Sequence, residues 1–315
     1  MYKYILFISL VLQSIGCYNN RTQTKSNANS KQASDTCQIF PYPEIPIMII
    51  SEDEKKEYMA SHYWDNVDFA DSVLINSKFI SQKHLIDFIC LLNEISYSEE
   101  NIRKGMSAFC RKVSEKKIKC NNLINNIEEY LYNGNSPLYN EYLFHIYLEE
   151  IIQLTDKNDP LLSSYKFKHE LISRNNVGTK ASDFRFKLPS KKTSSLYTTS
   201  IKSQYLLLIF YDPECHSCHK TMSEMLSDEI LNMAIEMNKI TVMAVYTNGN
   251  DNIWEENIKE FPSSWIVCND QSYITDNALY DLKAMPTIYL LDSNKYVLLK
   301  DATYSEVKKK IREAV

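Results

Sequence analysis

One stretch restricts this chain more than any other: two cysteines, two residues apart, set between a strand pattern and a helix pattern. Tyr205-Leu206-Leu207-Leu208-Ile209-Phe210-Tyr211 is continuous and apolar, as in a strand covered on both faces. Cys215-His216-Ser217-Cys218 follows at once, and Met222, Met225, Leu226, Ile230, Leu231 and Met233 then recur at helical spacing. The first Cys therefore opens a helix, where free N–H groups and the positive end of the helix dipole stabilise a thiolate. A thiolate is the nucleophile of disulfide exchange. The second Cys, one turn on, is placed to attack the mixed disulfide and release the product.

The flanking sequence supplies the rest of an α/β domain over residues 176–315. Val177-Gly178 ends a helical region, and Asp183 to Leu188 alternates polar and apolar as a half-buried strand does. Ile240 to Tyr246 reads as a second central strand and Trp265 to Cys268 as a short third one. Thr287 to Asp292 and Tyr296 to Lys300 read as a hairpin across Ser293-Asn294, and Ser305 to Ala314 closes with a helix. The expected order is strand, strand, helix, strand, strand, helix, hairpin, helix.

These residues resemble a thioredoxin-fold domain of the TlpA/ResA type, the tethered thiol–disulfide oxidoreductases of the bacterial envelope. The matching anchors are Phe210-Tyr211-Asp212-Pro213-Glu214-Cys215-His216-Ser217-Cys218 and Ala284-Met285-Pro286-Thr287-Ile288-Tyr289, with Pro286 71 residues after Cys215. The resemblance implies a central mixed sheet flanked by helices, with Cys215 as nucleophile and Cys218 as resolving thiol. It implies that Met285–Pro286 is the cis-proline loop, facing the cysteines and pairing backbone with substrate. Two departures stand out. Glu214 occupies the place of the family's usual Trp, and Ile209 the place of the buried Asp that thioredoxins carry six residues before the first Cys. Glu214 and His216 are the neighbours placed to modulate the Cys215 thiol; the deprotonation of Cys218 is left without an acid to assist it.

Cys215-x-x-Cys218-His219 also satisfies the c-type haem attachment pattern, and two thiols with His216 or His219 could handle copper. The buried strand entering the motif, the Met-Pro-Thr loop and the βαβ order all fit thioredoxin and are not needed by a cytochrome.

The N-terminus reads as an export signal over residues 1–16. Lys3 is followed by an apolar run, Tyr4 to Leu12, too short to span a bilayer. Ser14-Ile15-Gly16-Cys17 resembles the lipobox of bacterial lipoproteins, in which the Cys is acylated and becomes the mature N-terminus; Ser14 stands where Leu is expected. Residues 18–36 are polar, without branched aliphatics, and read as a flexible tether. The lipid anchor and linker are assigned to residues 17–40.

Residues 41–175 read as an all-helical domain. Ser51-Glu52-Asp53-Glu54 looks like a capping box opening a helix to about Trp64. Ser81 would start another, burying Leu85, Phe88, Ile89, Leu92 and Ile95. Ile102, Met106, Phe109, Cys110 and Val113, then Cys120, Leu123, Ile124, Ile127, Tyr130 and Leu131, keep the same spacing. Asn133-Gly134-Asn135-Ser136-Pro137 breaks the pattern. A helix from Leu138 to about Leu154 follows, and Asp159-Pro160 opens one more. His62, His84, His145 and His169 are not paired at metal spacing and read as surface or satisfied core histidines; no metal site is expected. Ser61-His62-Tyr63-Trp64-Asp65 resembles an uncharacterised helical module that precedes a thioredoxin domain in some bacterial lipoproteins.

The chain has eight Cys and five Gly, and a formal net charge of −5. The charge offers no basic field for nucleic acid. The glycines, at 16, 105, 134, 178 and 249, are too scattered for a phosphate-cradling loop. With Cys17 lipidated and Cys215/Cys218 paired, Cys37, Cys90, Cys110, Cys120 and Cys268 remain. Cys110 and Cys120 are the one pair to consider for a structural disulfide; otherwise these are small core residues.

The expectation is an envelope lipoprotein facing the periplasm and held to the membrane by its lipid. It exchanges disulfides with protein or small thiol substrates, needs no cofactor, and draws electrons from an upstream thiol donor. The alternative from another class is a binding or scaffolding lipoprotein in which the helical domain does the work.

Overall fold

The computed structural model describes residues 39–116 and 120–313. The export signal, Cys17, Cys37 and nearly all of the tether lie outside the described residues. Among those described, no helix is long and apolar enough to cross a membrane.

Residues 40–172 carry α1 (Glu52–His62), α2 (Ser72–Asn76), a π-helical turn (Phe79–His84) running into α3 (Leu85–Glu94), α4 (Glu99–Glu115), α5 (Asn121–Tyr132), α6 (Glu141–Leu154) and α7 (Leu161–Ile172). Their apolar faces converge as the periodicity requires. Leu85, Phe88, Ile89, Leu92, Ile102, Met106, Phe109, Ile127 and Leu131 are fully buried in one core. Each such side chain contributes roughly 1.5–3 kcal/mol of burial. Tyr63 and Trp64 sit at its centre, Trp64 lying 5.5 Å from Phe88 and 5.4 Å from Phe109 between ring centroids. Phe40, read as the end of the linker, already belongs to this core and stacks on His84 at 4.0 Å. Gly105 lets α4 approach α1: a Cβ there would lie 2.7 Å from the Ala60 carbonyl oxygen.

Two local expectations are corrected, and of the two readings of Cys110 and Cys120 the core one holds. Ser51 precedes α1, but its side chain makes no capping bond; the helix is held there by the Lys55 N–H donating to the Ser51 carbonyl at 3.0 Å. The helix expected at Ser81 begins earlier, because Phe79 and Ile80 join it through the π-helical turn. Cys110 and Cys120 are buried free thiols, not a disulfide. The Cys110 sulfur faces the Tyr147 carbonyl at 4.0 Å, and burial pushes Cys120 up to about 11.

From residue 185 the chain forms a mixed sheet: β1 (Arg185–Lys187), β2 (Thr193–Ser195), β3 (Tyr205–Tyr211), β4 (Ile240–Tyr246), β5 (Ile266–Asn269), β6 (Thr287–Asp292) and β7 (Val297–Leu299). The strand order is β2-β1-β5-β4-β3-β6-β7. β3 is central, parallel to β4 with Leu208 opposite Met243, and antiparallel to β6 with Leu208 opposite Tyr289. Its period of two divides the core. Leu207, Ile209 and Tyr211 face one side, packing with α8 (His216–Leu226), α9 (Glu229–Glu236) and α12 (Tyr304–Arg312); Leu206, Leu208 and Phe210 face the other, with Phe184, Phe186 and Tyr280. This is the expected fold class: an all-α part followed by an α/β thioredoxin-like part.

The single helix expected after the cysteines is two. Ser227 is the C-cap of the first, and Asp228 caps α9, accepting from the N–H groups of Ile230 at 2.9 Å and Leu231 at 3.3 Å. β2 and α10 (Asp251–Asn257) add to the expected order, and α11 (Tyr273–Asp276) fills the helix slot before the hairpin.

Candidate active site

The strand β3 delivers Asp212-Pro213-Glu214 to the start of α8, and Cys215 is the N-cap of that helix. Its carbonyl accepts from the His219 N–H at 3.1 Å, so the sulfur stands beside the open N–H groups of the first turn. Cys215 is half-buried; Cys218, one turn inside, is 1% exposed. The Cys215 sulfur lies 3.2 Å from the Ser217 hydroxyl and 3.7 Å from the Met285 carbonyl oxygen. Met285–Pro286 is cis. The expected nucleophile, resolving thiol and proline loop thus come together.

The two thiols are held apart in acidity. Burial pushes Cys215 up, but hydrogen bonds from the Ser217 hydroxyl and from the Cys218 backbone and side chain outweigh it and leave the thiol below its ordinary 9.0. Burial dominates at Cys218 and pushes it up to about 12. The Asp212 N–H, 3.5 Å from the Cys218 sulfur, opposes that rise in part. Asp212 is itself fixed, its carboxylate accepting from the Glu214 N–H at 2.9 Å and the Asn248 amide at 2.6 Å.

Glu214 and His216 are exposed. Ser217, between the cysteines, is the residue missed by sequence reasoning; its hydroxyl two residues past an N-cap thiol was the available signal. Ile209, in place of the thioredoxin acid, is fully buried.

A second group of residues meets the proline loop from the helical part. Lys283, 7% exposed, donates to Asp301 at 2.7 Å, Asp281 at 2.9 Å and Glu141 of α6 at 3.1 Å. Glu141 also takes Lys300 at 2.7 Å, and the Tyr132 hydroxyl donates to Asp281 at 2.9 Å. Burial pushes Glu141 up, but the two lysines outweigh it and hold its carboxyl below the usual range. Gly134 packs on Ala284, where a Cβ would come within 2.9 Å of the Ala284 Cβ. The residue before Met285 therefore rests on the helical part.

Paired cysteines at a strand–helix junction, facing a proline loop at the same end of a mixed sheet, define a thioredoxin-like protein. Residues 16–175 match the family described as Domain of unknown function (DUF5106). A thioredoxin-like protein from Bacteroides caccae is 30% identical, with a TM-score of 0.76 over 88% of this chain and 99% of that one. The chain belongs to the DUF5106 family by its N-terminal half and, as a whole, with the thioredoxin-like proteins. The C-terminal domain of an uncharacterised protein from Bacteroides fragilis is 34% identical, covering 44% of this chain and 98% of its own, with a TM-score of 0.42. The thioredoxin domain of a thiol-disulfide oxidoreductase from Bacteroides vulgatus is 21% identical over 44% of this chain and 98% of that one, with a TM-score of 0.38. No curated protein matches the chain.

Proposed function

We propose that this protein is a TlpA/ResA-like thiol–disulfide oxidoreductase of the bacterial envelope, lipid-anchored through Cys17 and acting as a reductase. The observation that carries the reading is the contrast within one helical turn. Cys215 is accessible and its thiol is held below the ordinary value; Cys218 is buried and held well above it.

The Cys215 thiolate attacks a substrate disulfide, forming a mixed disulfide and expelling one substrate thiolate. The backbone of Met285 is placed to pair with the substrate strand. Cys218 then loses its proton and attacks the Cys215 sulfur. A Cys215–Cys218 disulfide forms and the second substrate thiolate leaves, so substrate gains the two electrons the protein loses. A dithiol donor at the membrane returns them. No cofactor enters these steps.

The test is trapping. Cys218→Ser should accumulate mixed disulfides with client proteins through Cys215, whereas Cys215→Ser should accumulate almost none. Equal trapping by both variants, or none by either together with no reduction of a model disulfide by the parent, would return the protein to the scaffolding class.

A further inference from the structure

The geometry points to a binding site for a divalent transition-metal ion of the zinc class in the helical part, formed by His145, Glu149 and His169. It stands independently of the thiol chemistry.

His145 and Glu149 are four residues apart on α6 and share a face. His169 reaches the same place from α7, its ring 4.5 Å from that of His145 at an interplanar angle of 40°. One donor atom from each of the three lies within 4.8 Å of the others. A tetrahedral ion with bonds of about 2.1 Å sets its donors roughly 3.4 Å apart. Side-chain rotation that draws the donors together by up to about 1.4 Å closes that difference, and all three residues are only partly buried.

Two details mark the cluster as more than neighbouring polar side chains. The Glu149 carboxylate is divided: Oε2 takes the Arg103 guanidinium at 2.7 Å, while Oε1 stands 3.7 Å from His145 Nδ1, beyond hydrogen-bond length. Arg103, held in turn by Glu99 at 2.8 Å, acts as the outer partner that orients a ligating carboxylate. On the other side, His169 Nε2 is buried and has no hydrogen-bond partner among the described residues. A buried, unpaired ring nitrogen is costly. An ion between the rings satisfies it and uses the free carboxylate oxygen. Two imidazoles and one carboxylate suit zinc and leave a position for water or a further ligand.

The probe is zinc, titrated in competition with a chromogenic chelator. The protein is the full chain carrying Cys215→Ser and Cys218→Ser, its remaining accessible thiols alkylated, so that sulfur cannot take the ion. The expected result is one equivalent bound, with His169→Ala and Glu149→Gln each weakening binding at least tenfold and His62→Ala leaving it unchanged. Cobalt(II) in the same site should show ligand-field bands without thiolate charge transfer. A folded His169→Ala protein, judged by circular dichroism, also separates lost ligation from lost structure. Should His169→Ala not fold, His169→Gln serves in its place. Binding of less than one equivalent, affinity unaffected by the His169 variant, or a thiolate-type cobalt spectrum overturns the site.

Discussion

Within the first turn of α8 two chemically identical side chains titrate far apart, and position alone accounts for it. Cys215 is the N-cap and meets donors; Cys218 is enclosed by the sheet and loses water. Alkylation followed against pH should therefore show Cys215 reaching half its limiting rate below pH 9.0, with Cys218 unreactive until about 12. Ser217→Ala removes the leading hydrogen bond and should raise the Cys215 value, slowing alkylation at neutral pH by about two- to tenfold, as one lost hydrogen bond predicts. An unchanged profile would assign the acidity to the helix terminus instead. A second residue carries a pH effect on stability. His84 is 2% exposed, stacked on Phe40 and 3.1 Å from the Tyr63 hydroxyl, and burial pushes it down to about 4. The unfolded chain binds its proton near 6.5, so His84 contributes stability above that pH and loses it as pH falls towards 4. Unfolding free energies from urea titrations should decline over this window by about 1–3 kcal/mol. His84→Asn should flatten that slope even though it destabilises the core at neutral pH.

Elements differ in how far their residues announce them. β3, β4 and β6 keep the limits expected from sequence because unbroken apolar runs leave no other strand boundaries. β2 is Thr193–Ser195, polar and three residues long, and exists through its pairing with β1, which no local pattern encodes. The cysteine motif and the Met285–Pro286 loop were legible because each is local. The contact of His145 with His169 was not, since they stand 24 positions apart on consecutive helices. Nor was the ion cluster: Lys283 read alone is an ordinary lysine, and its partners come from α6 and from the turn after β7. That cluster predicts that Lys283→Met, which strands Asp281 and Asp301 in a confined site and leaves Glu141 with Lys300 alone, should destabilise the fold by about 3–5 kcal/mol. Glu141→Gln should cost less and be folded. If α6 positions the proline loop, Glu141→Gln should raise KM for a protein disulfide while the Cys215 alkylation rate stays at the parent value. Loss of both together would mean general damage instead.

For the whole molecule, the proposed anchor and the two folded parts imply a division of labour. Cys17→Ser should release the protein from membranes or leave it unprocessed, as measured by fractionation. Continued membrane partitioning equal to the parent would remove the lipid from the proposal while leaving the thiol chemistry untouched.

The seam between the helices and the proline loop is built from charge. Lys283, Lys300, Glu141, Asp281 and Asp301 would each be well solvated if water entered, whereas an oily seam would resist opening and stick once opened. A joint of this kind is selective in how it closes: five interlocked charges admit few other matings, so the loop can dock on the helices in one register only.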